Sequence, residues 1–175
     1  LIDDAGLEVP AGEAGEVVGH SGGMMKGYHG QPERTREAEW FDPSGKRFIR
    51  TGDIGRFDAE GFLTLFDRKK DMLNRGGYKI YSVEVENVLM AWPGMVEAAI
   101  VGRPCPVLGE RVHAVVTLRQ AGTSEAVLRD HCAQRLSDYK VPESITLSTT
   151  PLPRNANGKL LKRALRDQLT PNPPA

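Results

Sequence analysis

The run Ser82-Val83-Glu84-Val85-Glu86-Asn87-Val88-Leu89-Met90-Ala91-Trp92-Pro93-Gly94-Met95-Val96-Glu97-Ala98-Ala99-Ile100-Val101 decides the fold, because its hydrophobic rhythm changes halfway along. Before Pro93, the apolar residues Val85, Val88 and Leu89 recur at helical spacing, and Glu84 and Glu86 occupy a first turn where the helix dipole favours acids. Ser82 is a side chain able to cap the orphan amides of such a helix. Pro93-Gly94 stops it, and Val96 to Val101 continues as an apolar run of strand length. A helix feeding a strand through a two-residue breaker predicts a mixed unit in which helices pack on a sheet.

Toward the carboxy end the same alternation continues. His113 to Leu118 reads as a second strand, reached through a loop, Gly102 to Glu110, that carries two prolines and two glycines. Thr123 or Ser124 starts a second helix whose Leu128, Cys132 and Leu136 recur at i, i+4 and i+8, which makes Cys132 a core residue. Ile145 to Ser148 is a third strand and Leu160 to Leu169 a closing helix. Toward the amino end the pattern changes to short apolar stretches broken by glycine, such as Phe48-Ile49-Arg50 and Phe62-Leu63-Thr64-Leu65-Phe66, which read as strands and turns. Asp58-Ala59-Glu60-Gly61 suggests a tight hairpin, and Pro32 to Ala38 a short helical segment with proline at its first position. The charged segment Asp67-Arg68-Lys69-Lys70-Asp71 separates the two rhythms. The expected fold class is therefore α+β: a β-rich subdomain over residues 1–68, then a domain over 69–169 with a three-stranded sheet, a short β hairpin and helices on one face of the sheet, then a tail over 170–175.

Composition narrows the function classes. Lys plus Arg (23) balances Asp plus Glu (23), so no long-range field of one sign draws the chain to nucleic acid or an anionic membrane. The apolar runs are far shorter than the roughly 20 residues of a membrane span. Four scattered histidines predict no metal site, and two cysteines without framework spacing fit a reducing cytoplasm. The chain opens at Leu1 rather than Met, in a stretch rich in turn residues and acids, so a segment of a longer protein is expected. Thr-Pro-Asn-Pro-Pro-Ala after Leu169 suits a natural carboxy terminus.

Four stations carry chemistry: Thr51-Gly52-Asp53; Asp67-Arg68-Lys69-Lys70-Asp71; Arg75-Gly76-Gly77-Tyr78-Lys79 with Val83-Glu84-Val85-Glu86; and Pro153-Arg154-Asn155-Ala156-Asn157-Gly158-Lys159. A carboxylate on a tight loop can accept from both hydroxyls of a ribose diol, and a guanidinium offers five fixed donors to ribose or phosphate oxygens. An ammonium carried by a polar loop can stand where charge builds on a phosphoryl group. In order and spacing these stations resemble the later core motifs of the adenylate-forming (AMP-binding) superfamily, which includes acyl- and aryl-CoA synthetases, adenylation domains and firefly-type luciferases. The resemblance covers about Gly12 to Leu165 and is closest to bacterial fatty or aromatic acid CoA ligases.

The resemblance implies a large amino-terminal domain followed by a small mobile lid, with residues 1–68 as the last subdomain of the former. It implies that Asp53 and Arg68 hold the ribose of ATP, that Lys70 is the hinge, that Gly76 and Gly77 leave room for the pantetheine of CoA, and that Lys159 is the catalytic lysine of acyl-adenylate formation. The family's phosphate loop, magnesium-binding acid and acyl pocket have no counterpart in the sequence, so they are expected on a preceding domain, and the isolated chain is expected to be inactive. The implied reaction joins a carboxylic acid to CoA with ATP and magnesium, releasing AMP and pyrophosphate. An adenylation enzyme loading a carrier protein and a non-catalytic module with the lid fold are the alternatives. An exposed essential lysine at 159 is also open to a lysine acetyltransferase, which would remove its charge.

Overall fold

The computed structural model describes residues 1–120 and 122–169, so the tail lies outside the described residues. Its contacts divide the chain into two units, Leu1–Lys70 and Asp71–Ala175.

The first unit is built around one long strand, β3 (Arg47–Phe57). Antiparallel to it run β1 (Gly15–Gly19), β2 (Glu39–Phe41) and, through a hairpin, β4 (Leu63–Arg68). The hairpin turn is closed by Asp58, whose Oδ1 accepts from the amides of Glu60 and Phe62 at 3.0 and 2.9 Å. A short helix, α1 (Pro32–Glu37), begins on its proline, whose missing N–H costs nothing at that position. The β2 strand escapes sequence reading because three residues carry too little periodicity to register. Ile2 and Ile54 are the buried aliphatic side chains of this unit, and Glu16, 5% exposed, is neutralised by Arg50 and Lys69 at 3.1 Å each.

In the second unit a five-stranded sheet contains β5 (Leu73–Arg75), β6 (Tyr78–Ile80), β7 (Met95–Cys105), β8 (Gly109–Leu118) and β9 (Ser144–Ser148). The expected three strands and hairpin are joined into this single sheet where Arg75 pairs with Gly109. β8 has β7 antiparallel along one side and β9 parallel along the other, from His113↔Ser144 to Thr117↔Ser148. The helices α2 (Ser82–Met90) and α3 (Glu125–Ala133) cover one face. Their Val85, Leu89, Leu128 and Cys132 are wholly buried against Ile100, Val112, Ala114 and Val116. A fully buried aliphatic side chain of this kind is worth roughly 1.5–3 kcal/mol, so this layer dominates the unit's stability.

The helix expected to carry Leu136 ends at Ala133, and the closing helix begins at Lys162 rather than Leu160. Three further details depart from the sequence reading. First, the nine-residue loop from Gly102 to Glu110 is mostly strand, pairing through Pro104↔Glu110 to Cys105↔Gly109 and leaving only residues 106–108 as the turn. Pro104 is tolerated because β7 is an edge strand, where a missing donor breaks no second ladder. Second, Tyr81 rather than Ser82 takes the cap position of α2, and Ser82 becomes its first helical residue, buried and receiving a hydrogen bond from Lys162 Nζ at 2.6 Å. Third, the sheet is covered on both faces: α4 (Lys162–Leu169) packs with Leu152 and Leu160 against Ala99, Val101 and Val115 on the side opposite α2. The alternation of side chains along β7 supplies both faces, since Ala99 and Val101 point away from Ile100.

Candidate functional site

Within the first unit, Asp53 on β3 lies directly opposite Arg68 at the end of β4. Arg68 Nε donates to Asp53 Oδ1 at 2.7 Å, with the side chains 48% and 28% exposed. Thr51 Oγ1 donates to the carbonyl of Val17 at 2.9 Å and accepts from the amide of Asp53 at 3.1 Å, which sets the carboxylate at the strand surface. An anionic acceptor and a planar donor side by side match a vicinal diol, which needs both kinds of partner. The charge run after Arg68 is not uniform in role. Lys69 is held by Asp4 and Glu16 at 3.0 and 3.1 Å, whereas Lys70, exposed in the following turn, is the last residue of the unit.

Within the second unit, Gly76 and Gly77 form the two-residue turn between β5 and β6, with φ of +60° and +91°. Two consecutive left-handed residues are what a tight hairpin with matching twist requires, so the glycine pair has a backbone reason independent of any ligand. The turn is braced by Asn74 Oδ1, which accepts from the Gly77 amide at 2.9 Å, and by Leu108 O, which accepts from the Gly76 amide at 2.7 Å. A Cβ at Gly77 would meet nothing within 4 Å, so its surface is open to a narrow chain passing over it. Beside this turn, Glu143 bridges Arg75 (2.9 Å) and Arg111 (2.6 Å); burial opposes its ionisation, but the two guanidinium groups prevail and hold the carboxyl below its usual range. Arg111 also donates to Cys105 Sγ at 3.3 Å and, with the amides of Leu108 and Val107, pulls that thiol down to about 7.

Lys159 stands on the loop between β9 and α4. Asn155 folds the loop on itself: its Oδ1 accepts from the amides of Asn157 (3.1 Å) and Lys159 (2.9 Å), and its own amide donates to the Lys159 carbonyl at 2.9 Å. Gly158, at φ +77°, makes the reversal that a residue with a Cβ resists. The Lys159 side chain is exposed and makes no ion pair among the described residues. The loop thus fixes a backbone and leaves one ammonium group available to an anion. Sequence reading passed over Glu97 on β7, which with Arg154 braces this loop, and Lys162, which ties α4 to α2 by reaching Glu86 at 2.6 Å in a pair only 12% and 16% exposed. Contacts 57 residues apart leave no local pattern to read.

Among the described residues no group of three or more His, Cys, Asp or Glu could hold a metal ion, and no helix is long and apolar enough to cross a membrane.

Residues 84–159 match the family of the AMP-binding enzyme C-terminal domain. Over 160 residues the chain is 41% identical to the long-chain-fatty-acid–CoA ligase FadD13 of Mycobacterium tuberculosis, a match covering 91% of this chain and 31% of that protein. It is 38% identical to a long-chain-fatty-acid–CoA ligase of Escherichia coli, covering 96% of this chain and 29% of the relative. Among solved structures, ATP-bound MatB from Rhodopseudomonas palustris superposes with a TM-score of 0.86 at 33% identity, over 97% of this chain and 33% of that one. The anthranilate CoA ligase AuaEII in complex with anthranoyl-AMP superposes with a TM-score of 0.83 at 33% identity, over 97% and 33% of the two chains. The chain therefore spans about a third of the length of the relatives it matches. Residues 84–159 therefore match the AMP-binding enzyme C-terminal domain, and the chain as a whole is similar to the corresponding third of relatives named as CoA ligases.

Proposed function

We propose that this chain is the catalytic lid portion of an ATP-dependent acyl-CoA synthetase, in which Lys159 carries adenylation. The full-length enzyme converts a carboxylic acid, ATP and CoA into acyl-CoA, AMP and pyrophosphate through an acyl-adenylate. In the first half-reaction a carboxylate oxygen attacks the α-phosphorus, the P–O bond to pyrophosphate breaks, and the electron pair leaves with pyrophosphate. Two anions must approach each other while charge grows on phosphoryl oxygens, so a cation held at that point lowers the barrier by position and by electrostatics. The observation that carries this reading is the exposed ammonium of Lys159 on a loop whose backbone is fixed around it. Asp53 and Arg68 take the ribose of ATP, Lys70 serves as hinge, and Gly76 and Gly77 admit the pantetheine arm of CoA in the second half-reaction.

Magnesium travels with ATP. Its ligands would be the phosphates of the nucleotide and an acid of a preceding amino-terminal domain, which also supplies the phosphate loop and the acyl pocket. The reading places the enzyme in the cytoplasm, where the exposed Lys159 is accessible to a lysine acetyltransferase; mass spectrometry of the cellular protein tests that partner. The decisive assay gives the full-length enzyme ATP and a panel of acids, with and without CoA. Acyl-CoA formation supports the synthetase; adenylate without thioester supports the carrier-protein alternative, and no AMP with any acid supports a non-catalytic module.

A further inference from the structure

The Lys159 loop is tied to the sheet by one guanidinium and one carboxylate that the proposed chemistry does not use. Arg154 lies on the incoming limb of the loop. Its Nε and one terminal nitrogen donate to Glu97 Oε1 at 3.2 and 2.6 Å, and its other terminal nitrogen donates to the carbonyl of Gly158 at 2.7 Å. That carbonyl belongs to the peptide joining Gly158 to Lys159, so its orientation sets where the lysine stem begins. Glu97 is itself fixed: its Oε2 accepts from the amide of Leu152 at 2.8 Å, and the alternation along β7 puts it on the same face as Ala99 and Val101, where Leu152 packs. The Leu152 amide and the Arg154 guanidinium hold its carboxyl below the usual range despite burial.

We propose that Arg154 and Glu97 are positioning residues for adenylation: together they clamp both limbs of the 153–159 loop to strand β7 and so preset the station from which Lys159 acts. The geometry suits positioning better than stability. Arg154 is 47% exposed, which weakens the pair's contribution to folding, and Glu97, though only 14% exposed, keeps the Leu152 amide as a partner when the guanidinium is lost. What the fork supplies is direction, because a planar guanidinium can bond Glu97 and the Gly158 carbonyl at once, while a lysine ammonium at position 154 has no fixed plane with which to do both. With the preceding carbonyl on Arg154 and its own N–H and C=O on Asn155, Lys159 has its backbone held on both sides. Only its four-carbon stem remains to be ordered on ATP. Displacement of a catalytic group by about 1 Å can cost about 100-fold in rate, so a slackened loop should be visible in turnover.

The inference rests on the reading of Lys159 as the adenylation lysine, and the experiment separates the two. In the full-length ligase, acid-dependent ATP–pyrophosphate exchange is measured for Lys159→Ala, Arg154→Ala, Arg154→Lys and Glu97→Gln, alongside thioester formation from synthetic acyl-adenylate and CoA. The expected result is exchange lowered about 10- to 100-fold in kcat for both Arg154 variants and Glu97→Gln, with KM for ATP and the thioester step unchanged and no further loss in the Glu97→Gln, Arg154→Ala double variant. A purely structural role would depress both half-reactions together, and that outcome overturns the proposal. A Lys159→Ala variant that exchanges normally overturns the functional reading beneath it, whereas a dead Lys159→Ala beside active Arg154 and Glu97 variants overturns the positioning alone. Hydrogen exchange on this chain adds a readout independent of activity. The amides of Asn157 and Lys159 should exchange about 10-fold faster or more in Arg154→Ala, and unchanged protection contradicts the clamp.

Discussion

Acidification from pH 8 to 5 should weaken the second unit through one histidine. The His113 side chain is buried at 3% exposure on β8, with Nδ1 2.7 Å from Ser144 Oγ and Nε2 3.1 Å from Thr146 Oγ1. Burial, aided by the nearby Arg103 and only partly offset by Glu125, pushes its pKa from 6.5 down to about 4. Between those two values the unfolded chain binds a proton that the native state refuses, so stability falls as pH falls. At about 1.36 kcal/mol per pH unit, about 2 kcal/mol should be lost by pH 5 and about 3 kcal/mol by pH 4. Glu97 and Glu143 act in a lower window: their depressed values stabilise the fold above pH 4.5, and that contribution is lost only below it. The assay is urea unfolding of a Trp40→Phe background, in which Trp92, packed edge-on against His131, reports the second unit. The midpoint should drop by roughly 1 M between pH 8 and pH 5, and His113→Gln, though weaker at pH 8, should show a flat profile across that range. A flat wild-type profile, or a His113 ring that titrates near 6.5 by NMR, refutes the reasoning.

Other outcomes follow from the same geometry. Cys105, lowered to about 7 beside Arg111, should be alkylated at pH 8 well before Cys132, which burial raises to about 11; Arg111→Gln should slow the first reaction, as peptide mapping by mass spectrometry will show. Gly77→Ala should cost about 1 kcal/mol through its positive φ alone, and Gly76→Ala more, because its Cβ would press Leu108 at 3.3 Å; denaturant midpoints decide. Lys162→Ala leaves Glu86 buried without its cation and should destabilise the second unit by roughly 3 kcal/mol, whereas loss of the exposed Lys159 ammonium should leave the midpoint unchanged.

Much of the second unit was legible because its signals are local. The i, i+4 recurrence of Leu128 and Cys132 and the breaker Pro93-Gly94 need no knowledge of distant residues, and both helices form there, although α3 ends at Ala133 and leaves Leu136, the third member of the expected stripe, beyond it. What could not be read depends on pairing across the chain. Nothing in Ser144 to Ser148 announces a parallel partner in β8, and Pro104 reads as a loop residue until the edge position of β7 is known. The covering of the second face by Leu152 and Leu165 is equally silent, because short apolar stations in a polar segment carry no period. The site divides in the same way. Gly158-Lys159 and Thr51-Gly52-Asp53 stand out as motifs, and the direct pairing of Asp53 with Arg68 emerges only from the register of β3 and β4. The clamp by Glu97 is invisible in sequence, since that residue lies in an ordinary apolar strand and meets its partner only after the chain has closed a 57-residue excursion.

The proposal that Lys159 carries adenylation is tested most directly by acid-dependent ATP–pyrophosphate exchange in the full-length protein bearing Lys159→Ala. Loss of one electrostatic contact made as charge develops on the phosphoryl oxygens should lower exchange by about 100-fold or more, while thioester formation from supplied acyl-adenylate persists. Exchange at the wild-type rate would contradict the account.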